Sequence, residues 1–240
     1  MTLLFWAEST REELREALPE SLVVLPIGAT EQHGPHLATG TDAAIVKTIC
    51  RFAVVRAADS ARLVLAPALR FGVSDHHLPF GGTLSLSPET AIGVLTDLAR
   101  SIAECGGRRL VIVNGHGGNR GVAQVAAAKI ASACDMTVSV IHYWELIADG
   151  GGTPIPGHAG EFETAMLFAL RPEFVRRRRP RTLPDESDVD GVEVHEAAAW
   201  RRIDGYTDDP TRATHERGME WLDECLGALA ERLIALANRP

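Results

Sequence analysis

The run Val23-Val24-Leu25-Pro26-Ile27-Gly28 is apolar and β-like, and it delivers Glu31, His33, His36 and Asp42 in quick succession. Glu31 and His33 stand two residues apart, so an extended backbone points both to one side. Two acids and two imidazoles beside Gly34 and Pro35 make a poor solvent-facing loop and a good coordination site. Taken singly, each residue has a plainer reading: a loop histidine is ordinarily solvated, and Asp42 opens a helix-like stretch where an aspartate often serves only as a cap. The grouping is what points to a metal.

Strand-then-helix units repeat from there on. Residues 9–18 open with a capping-box pattern and carry apolar residues at helical spacing, ahead of the strand at 21–28. A helix follows from Asp42, then a short strand from Arg62 to Ala66 that Pro67 ends. Residues 71–83 have no periodicity and read as a long loop over the strand ends, with His76 and His77 as ligands, substrate contacts or solvated groups. Ser87-Pro88-Glu89 starts a helix that runs to about Glu104, where Gly106-Gly107 stops it. The strand Arg109–Asn114 ends in Gly115-His116-Gly117-Gly118-Asn119 and a helix from about Gly121 to Ala133. That turn has neither a GxGxxG pattern nor a Walker Lys-Ser/Thr, which sets a phosphate loop aside. Met136–Tyr143 reads as a strand, Glu161 as the first turn of a helix, and 215–237 as a long amphipathic helix.

This alternation implies an α/β protein: a three-layer α/β/α sandwich with a mainly parallel sheet, in a single domain over residues 1–240. In such sheets ligands bind outside the carboxyl ends of the strands. Glu31 and His33 follow one strand, His116 another and His142 a third, while His158 and Glu161 open a helix on the same edge. Independent surface histidines have no reason to gather there.

Composition narrows the partners. A formal net charge of -8 argues against nucleic acid and anionic membrane, either of which calls for a basic face, and favours small molecules or peptides. No apolar run reaches the roughly 18 residues of a membrane span, and the start of the chain has no signal-peptide pattern. Cys50, Cys105, Cys134 and Cys225 form no CxxC pair, as in reduced cytoplasmic proteins. Arg176–Arg179 reads as a solvated basic helix exit, and 180–200 as a polar excursion.

Three motifs, Thr30-Glu31-Gln32-His33-Gly34-Pro35-His36-Leu37 with Thr41-Asp42, Asn114-Gly115-His116-Gly117-Gly118-Asn119, and His158-Ala159-Gly160-Glu161-Phe162-Glu163-Thr164, resemble the creatininase family of metal-dependent amidohydrolases. The resemblance runs in order from about residue 22 to 215. It implies two divalent ions (Zn, Mn or Fe) held by Glu31, His33, a bridging Asp42, His116 and one further carboxylate. Creatininase carries a glutamate two residues after the histidine of its second motif, where this chain has Gly118. The missing ligand is therefore placed at Glu161, with Glu163 as second choice. Three carboxylates and a hydroxide would balance two divalent cations. The implied chemistry is amide hydrolysis by a metal-activated water, with His158 and Glu163 as catalytic groups and His158 passing a proton to the leaving nitrogen. His36, His76, His77 and Trp144 are assigned to the substrate side. Three functions fit: a hydrolase of a small cyclic amide or formamide, a peptidase trimming a small modified peptide, and a metal- or ligand-binding protein without turnover. The family resemblance also implies a homo-oligomer, often a hexamer.

Overall fold

Strand β2 (Leu22–Ile27) is buried along its whole length because it has a strand on each side and helices above and below. The computed structural model describes residues 3–148, 150–182, 194, 196 and 198–239, so most of the polar stretch at 180–200 lies outside the described residues. β1 (Leu3–Phe5), β3 (Leu63–Leu65), β4 (Arg109–Asn114) and β5 (Thr137–His142) complete one sheet in the order β1-β3-β2-β4-β5. Every pairing is parallel. All the carboxyl ends therefore lie along one edge, as the alternation of strands and helices requires. The edge strand β1 has no counterpart in the sequence reading, since three residues are too few to show an alternation.

Side chains alternate across the sheet and divide the core in two. Leu22, Val24, Val111 and Val113 face α2 (Thr41–Ala57), α5 (Glu161–Leu170) and α7 (His215–Ala237). Val23, Leu25, Ile27, Leu110 and Ile112 face α1 (Arg11–Ala17), α3 (Pro88–Glu104) and α4 (Arg120–Cys134). α6 (Ala199–Arg202) is a single short turn. At about 1.5–3 kcal/mol for each fully buried aliphatic side chain, these two interfaces fix the sheet's position against both helix layers. Among the described residues, no helix is long and apolar enough to cross a membrane.

Caps set where the helices begin. Thr10 and Glu13 make the reciprocal capping box of α1, and Ser87 accepts from the Thr90 backbone N–H with Pro88 in the first turn of α3. α2 has no such cap: Gly40 occupies that place without a side-chain bond, and Asp42, in the first turn, sends its carboxylate into the protein. Gly28 makes this possible. A Cβ there would lie 2.8 Å from the Ala43 backbone, so only glycine lets the end of β2 pass against the first turn of α2. The chain leaving β2 thereby arrives beside Asp42.

The loop at 71–83 is more ordered than its sequence suggests, with a 3₁₀ turn over Asp75–Phe80. Its flanks are tied down by Leu86 N–H to the Gly72 carbonyl at 2.8 Å, Leu84 N–H to the Thr30 carbonyl at 2.9 Å, and Gln32 N–H to Thr83 Oγ1 at 3.0 Å. It thus forms a fixed wall over the strand ends. The basic run after α5 is not simply solvated: Arg178 donates to the carbonyls of Pro210 and Ala213 and lies over the Phe168 ring.

Candidate metal centre

Asp42 sits between two histidines. Its Oδ1 is 3.0 Å from His33 Nε2 and its Oδ2 is 3.1 Å from His116 Nδ1. Glu31 Oε2 lies 3.3 Å from His116 Nε2 and Glu163 Oε2 lies 3.6 Å from His33 Nε2. Two groups of donors result, Glu31 with Asp42 and His116, and His33 with His158 and Glu163, each compact enough to hold an ion, and a third group joins Glu31, His77 and His158. Glu31 and His33 come from the loop after β2, Asp42 from α2, His116 from the turn after β4, and His158 and Glu163 from the start of α5 and the loop before it.

Backbone carbonyls decide which nitrogen each ring offers. His33 Nδ1–H donates to the Glu31 carbonyl at 3.1 Å, His116 Nε2–H to the Val73 carbonyl at 2.9 Å, and His158 Nε2–H to the Gln32 carbonyl at 2.9 Å. A carbonyl can only accept, so in each neutral ring the other nitrogen carries a lone pair. Those lone pairs face carboxylates: His33 Nε2 and His116 Nδ1 face Asp42, and His158 Nδ1 lies 3.4 Å from Glu31 Oε1. A lone pair set against a carboxylate oxygen is repulsive unless a proton or a metal cation lies between them.

Burial sharpens the case. Glu31, Asp42 and Glu163 are all buried, and among the described residues both Glu31 carboxylate oxygens and Asp42 Oδ2 have no hydrogen-bond partner. Among the described residues, their ion-pair partners are all histidines. Such anions are costly to bury and call for positive charge. Without a metal, protons supply it. Burial pushes Glu31 up to about 7 and raises Glu163. Burial alone would lower His33 and His116, but the carboxylates outweigh it: Asp42 and Glu163 hold His33 well above its ordinary range, and Glu31 and Asp42 bring His116 to about 9. Asp42 is driven the other way, below its usual range, because His33 and His116 overcome its burial. His158 falls well below the usual imidazole value through burial and the neighbouring His33 and His77. The orphaned oxygens, the aimed lone pairs and the mixed carboxylate–imidazole set together fit divalent ions.

The structure gathers some of the anticipated residues and separates others. The carboxylate that reaches His33 is that of Glu163, which also accepts the Ala159 N–H at 2.5 Å. Glu161 lies outside the cluster: its carboxylate meets Thr153 Oγ1 at 3.1 Å and Arg212 Nε at 3.2 Å. Two residues apart on a helix, the two acids point in different directions, so only one can face the sheet edge. Gly118 leaves no alternative at the second motif, since a Cβ there would lie 2.1 Å from the Val73 carbonyl oxygen and 2.5 Å from His116 Nε2. His36 is buried away from the cluster and donates to the Ala159 carbonyl at 2.8 Å; burial lowers it to about 4, so it stays neutral. His142 stacks on Trp144, and its Nδ1 is 3.1 Å from Asn114 Nδ2.

A cavity of about 130 Å³ lies over the donors, walled by His76, His77, Trp144 and Trp200. His76, Gly117, Gly118 and Trp200 also line a groove of about 830 Å³ that runs out past Arg120 and Gln124. Sequence alone assigns no role to Trp200, nor to Gln32 within the first motif. A tryptophan at the end of an otherwise polar stretch was the available signal for the first, and the position of Gln32 between two proposed ligands was the signal for the second.

Known proteins match this chain over nearly its whole length. Residues 7–233 match the family model described as creatininase, creatinine amidohydrolase. The chain is 34% identical to a mycofactocin precursor peptide peptidase from Mycobacterium tuberculosis (strain ATCC 25618 / H37Rv), covering 92% of this chain and 89% of the relative. It is 29% identical to creatinine amidohydrolase from Pseudomonas putida, covering 96% and 94%. A solved structure titled "Creatininase Mn" superposes with a TM-score of 0.79 at 27% identity, covering 99% of this chain and all of the other.

The protonated cluster has a measurable consequence. Neighbouring carboxylates hold His33 well above its ordinary range and bring His116 to about 9, so both rings carry protons at neutral pH in the metal-free protein, whereas a coordinating imidazole must be neutral. Metal affinity should therefore rise with pH up to about 9 and fall as pH drops. Near neutral pH, uptake should release about one proton per ion, measurable by calorimetry in buffers of different ionisation enthalpy. An affinity independent of pH, with no proton released, would contradict the lone-pair assignment.

Proposed function

Because the chain belongs to the creatininase family, whose members are metal-dependent hydrolases of C–N bonds, we propose that it holds two divalent ions and cleaves the amide bond of a small molecule, a cyclic amide or formamide. The observation that carries this reading is Asp42, shared between two groups of buried donors that have no Lys or Arg partner among the described residues. Glu31, Asp42 and His116 would hold one ion, and His33, Asp42 and Glu163 the other. Glu163 thus takes the place that the sequence reading gave to Glu161. Zn, Mn and Fe all suit this ligand set. Bound ions of this kind supply the Lewis acidity that generates hydroxide near neutral pH and polarises an amide carbonyl.

The chain's own groups supply the proton handling and the enclosure. With its Nε2–H held by the Gln32 carbonyl, His158 offers Nδ1 to the cavity as a base that is neutral at physiological pH. A proton taken up at that nitrogen from the attacking water is then available to the departing amine, which matches what general catalysis requires of one residue in two steps. Trp144 and Trp200 narrow the entrance and limit bulk water. The carboxylates of Glu31, Asp42 and Glu163 would offset three of the four positive charges of two divalent ions.

A second reading, a peptidase acting on a small modified peptide, is favoured by the groove of about 830 Å³ that continues from the cavity. The mycofactocin precursor peptide peptidases among the relatives support it too. The protein would work in the cytoplasm, a location in keeping with its four free cysteines, and would assemble as a homo-oligomer, with a hexamer expected. Phe71, Leu78 and Leu84, exposed apolar side chains on one loop, give such an assembly something to bury. Sedimentation velocity at micromolar concentration should show the oligomer, and a stable monomer would refute it.

Elemental analysis should find about two ions per chain. Glu163→Gln should lose one of them and Glu161→Gln should keep both. His158→Ala should keep its metal and lose turnover by roughly 10²–10⁴-fold, in a screen of cyclic amides, formamides and short peptides. Loss of an ion from Glu161→Gln alone would reverse the ligand assignment. Two ions held with no turnover on any amide would favour the non-catalytic binding protein.

A further inference from the structure

His77 has no part in the scheme above, yet it is fully buried, lines the cavity, and has an Nε2 with no hydrogen-bond partner among the described residues. Its protonation can be read from its neighbours. The side-chain amide of Gln32 is fixed at both ends by backbone: Oε1 accepts from Gly34 N–H at 2.9 Å, and Nε2 donates to the Gly205 carbonyl at 2.6 Å. No exchange of oxygen and nitrogen satisfies both bonds, so the amide orientation is determined. The second hydrogen on Gln32 Nε2 points at His77 Nδ1, 2.8 Å away. His77 Nδ1 is therefore an acceptor, and the proton of the neutral ring sits on Nε2.

That proton has a direction and, among the described residues, no acceptor. Glu31 Oε1 is the nearest carboxylate oxygen, at 3.7 Å, beyond hydrogen-bond length, and Glu31 is committed to the proposed ions. The same orientation keeps His77 from acting as a metal ligand itself, since Nδ1 already accepts a hydrogen bond and Nε2 carries hydrogen. His77 stacks on His158 with ring centroids 4.1 Å apart, which places the free donor beside the proposed proton carrier.

We propose that His77 is a further catalytic residue: a neutral imidazole whose Nε2–H donates to the carbonyl oxygen of the bound amide. Gln32 is the positioning residue that fixes the tautomer. The inference rests on the amidohydrolase reading. As water adds to the carbonyl carbon, negative charge gathers on that oxygen, and a donor fixed in place beforehand stabilises the charge without reorganising. No proton leaves His77, so the ring ends each cycle as it began.

Two measurements test this separately from the parent reading. Nitrogen-15 NMR of histidine-labelled, metal-loaded protein, with the His77 signals identified by their loss in His77→Ala, should show a protonated Nε2 and an unprotonated Nδ1 at neutral pH. In Gln32→Leu that preference should weaken. A protonated Nδ1, or a metal-bound ring, would overturn the proposal. In kinetics, His77→Ala should keep about two ions per chain and lower kcat by roughly 10²–10³-fold, the usual cost of removing one oxyanion donor, with KM changed by no more than a few-fold. His77→Gln, whose amide can donate from a similar place, should recover part of that loss. Unchanged kcat, or a loss of activity that follows loss of metal, would show that His77 only supports the fold or Glu31. A wild-type enzyme that turns over no amide while showing the expected tautomer would instead count against the amidohydrolase reading, and the catalytic role of His77 would fall with it.

Discussion

Asp42 faces His33 with one oxygen and His116 with the other, and the carboxyl-edge architecture converges on that arrangement. Burying a carboxylate at the start of α2 is tolerable because the helix N-terminus carries partial positive charge, but that alone does not offset three buried acids. The remaining compensation has to come from cations in the space between the acids and the imidazoles. Protons can fill that role in the metal-free chain, and the raised values of His33 and His116 express it. Divalent ions fill it better, since each satisfies several of the orphaned oxygens and lone pairs at once.

Much of the surrounding structure keeps these groups from relaxing. Gly28 lets β2 approach α2 closely enough to set the donors of the following loop against Asp42. The carbonyls of Glu31, Val73 and Gln32 each hold one ring proton and so aim the opposite nitrogen inward. Val73 belongs to the long loop over the strand ends, so that loop supports the donor group of Glu31, Asp42 and His116 as well as walling the cavity. The Thr207–Asp208 turn braces the other side: Thr207 Oγ1 accepts from His158 N–H at 2.8 Å, and Asp208 Oδ2 accepts from Glu161 N–H at 2.7 Å, at the first turn of α5. Tautomer control by main-chain carbonyls is a stringent device, because a backbone acceptor cannot change its role when the site is loaded.

The parallel sheet, its two helix layers and the gathering of motifs at one edge were legible in the sequence, because alternating apolar runs and helix caps are local signals. β1 was not, since a three-residue edge strand shows no period. The motif residues Glu31, His33, Asp42, His116 and His158 could be picked out by type and spacing. The choice between Glu161 and Glu163 could not, as it depends on how far α5 is rotated about its axis, which Arg212, Thr153 and the Ala159 N–H reveal only in three dimensions. Gly118 stands out in the sequence as a departure from creatininase, but the reason a side chain is impossible there, the Val73 carbonyl lying across it, belongs to a loop more than forty residues away. His77 was legible as a candidate and not as a donor, because its tautomer is set by an amide whose own orientation depends on Gly205.

The central claim is that Asp42 is shared by two cations, each completed by its own donors. Anomalous diffraction from crystals of the metal-loaded protein, collected at the absorption edge of the bound metal, tests it most directly. The account predicts two peaks roughly 3.5–4 Å apart, one within coordination distance of Glu31, Asp42 and His116 Nδ1, the other within reach of Asp42, His33 Nε2 and Glu163. A single peak, or one coordinated by Glu161 or by His77 Nε2, would contradict it.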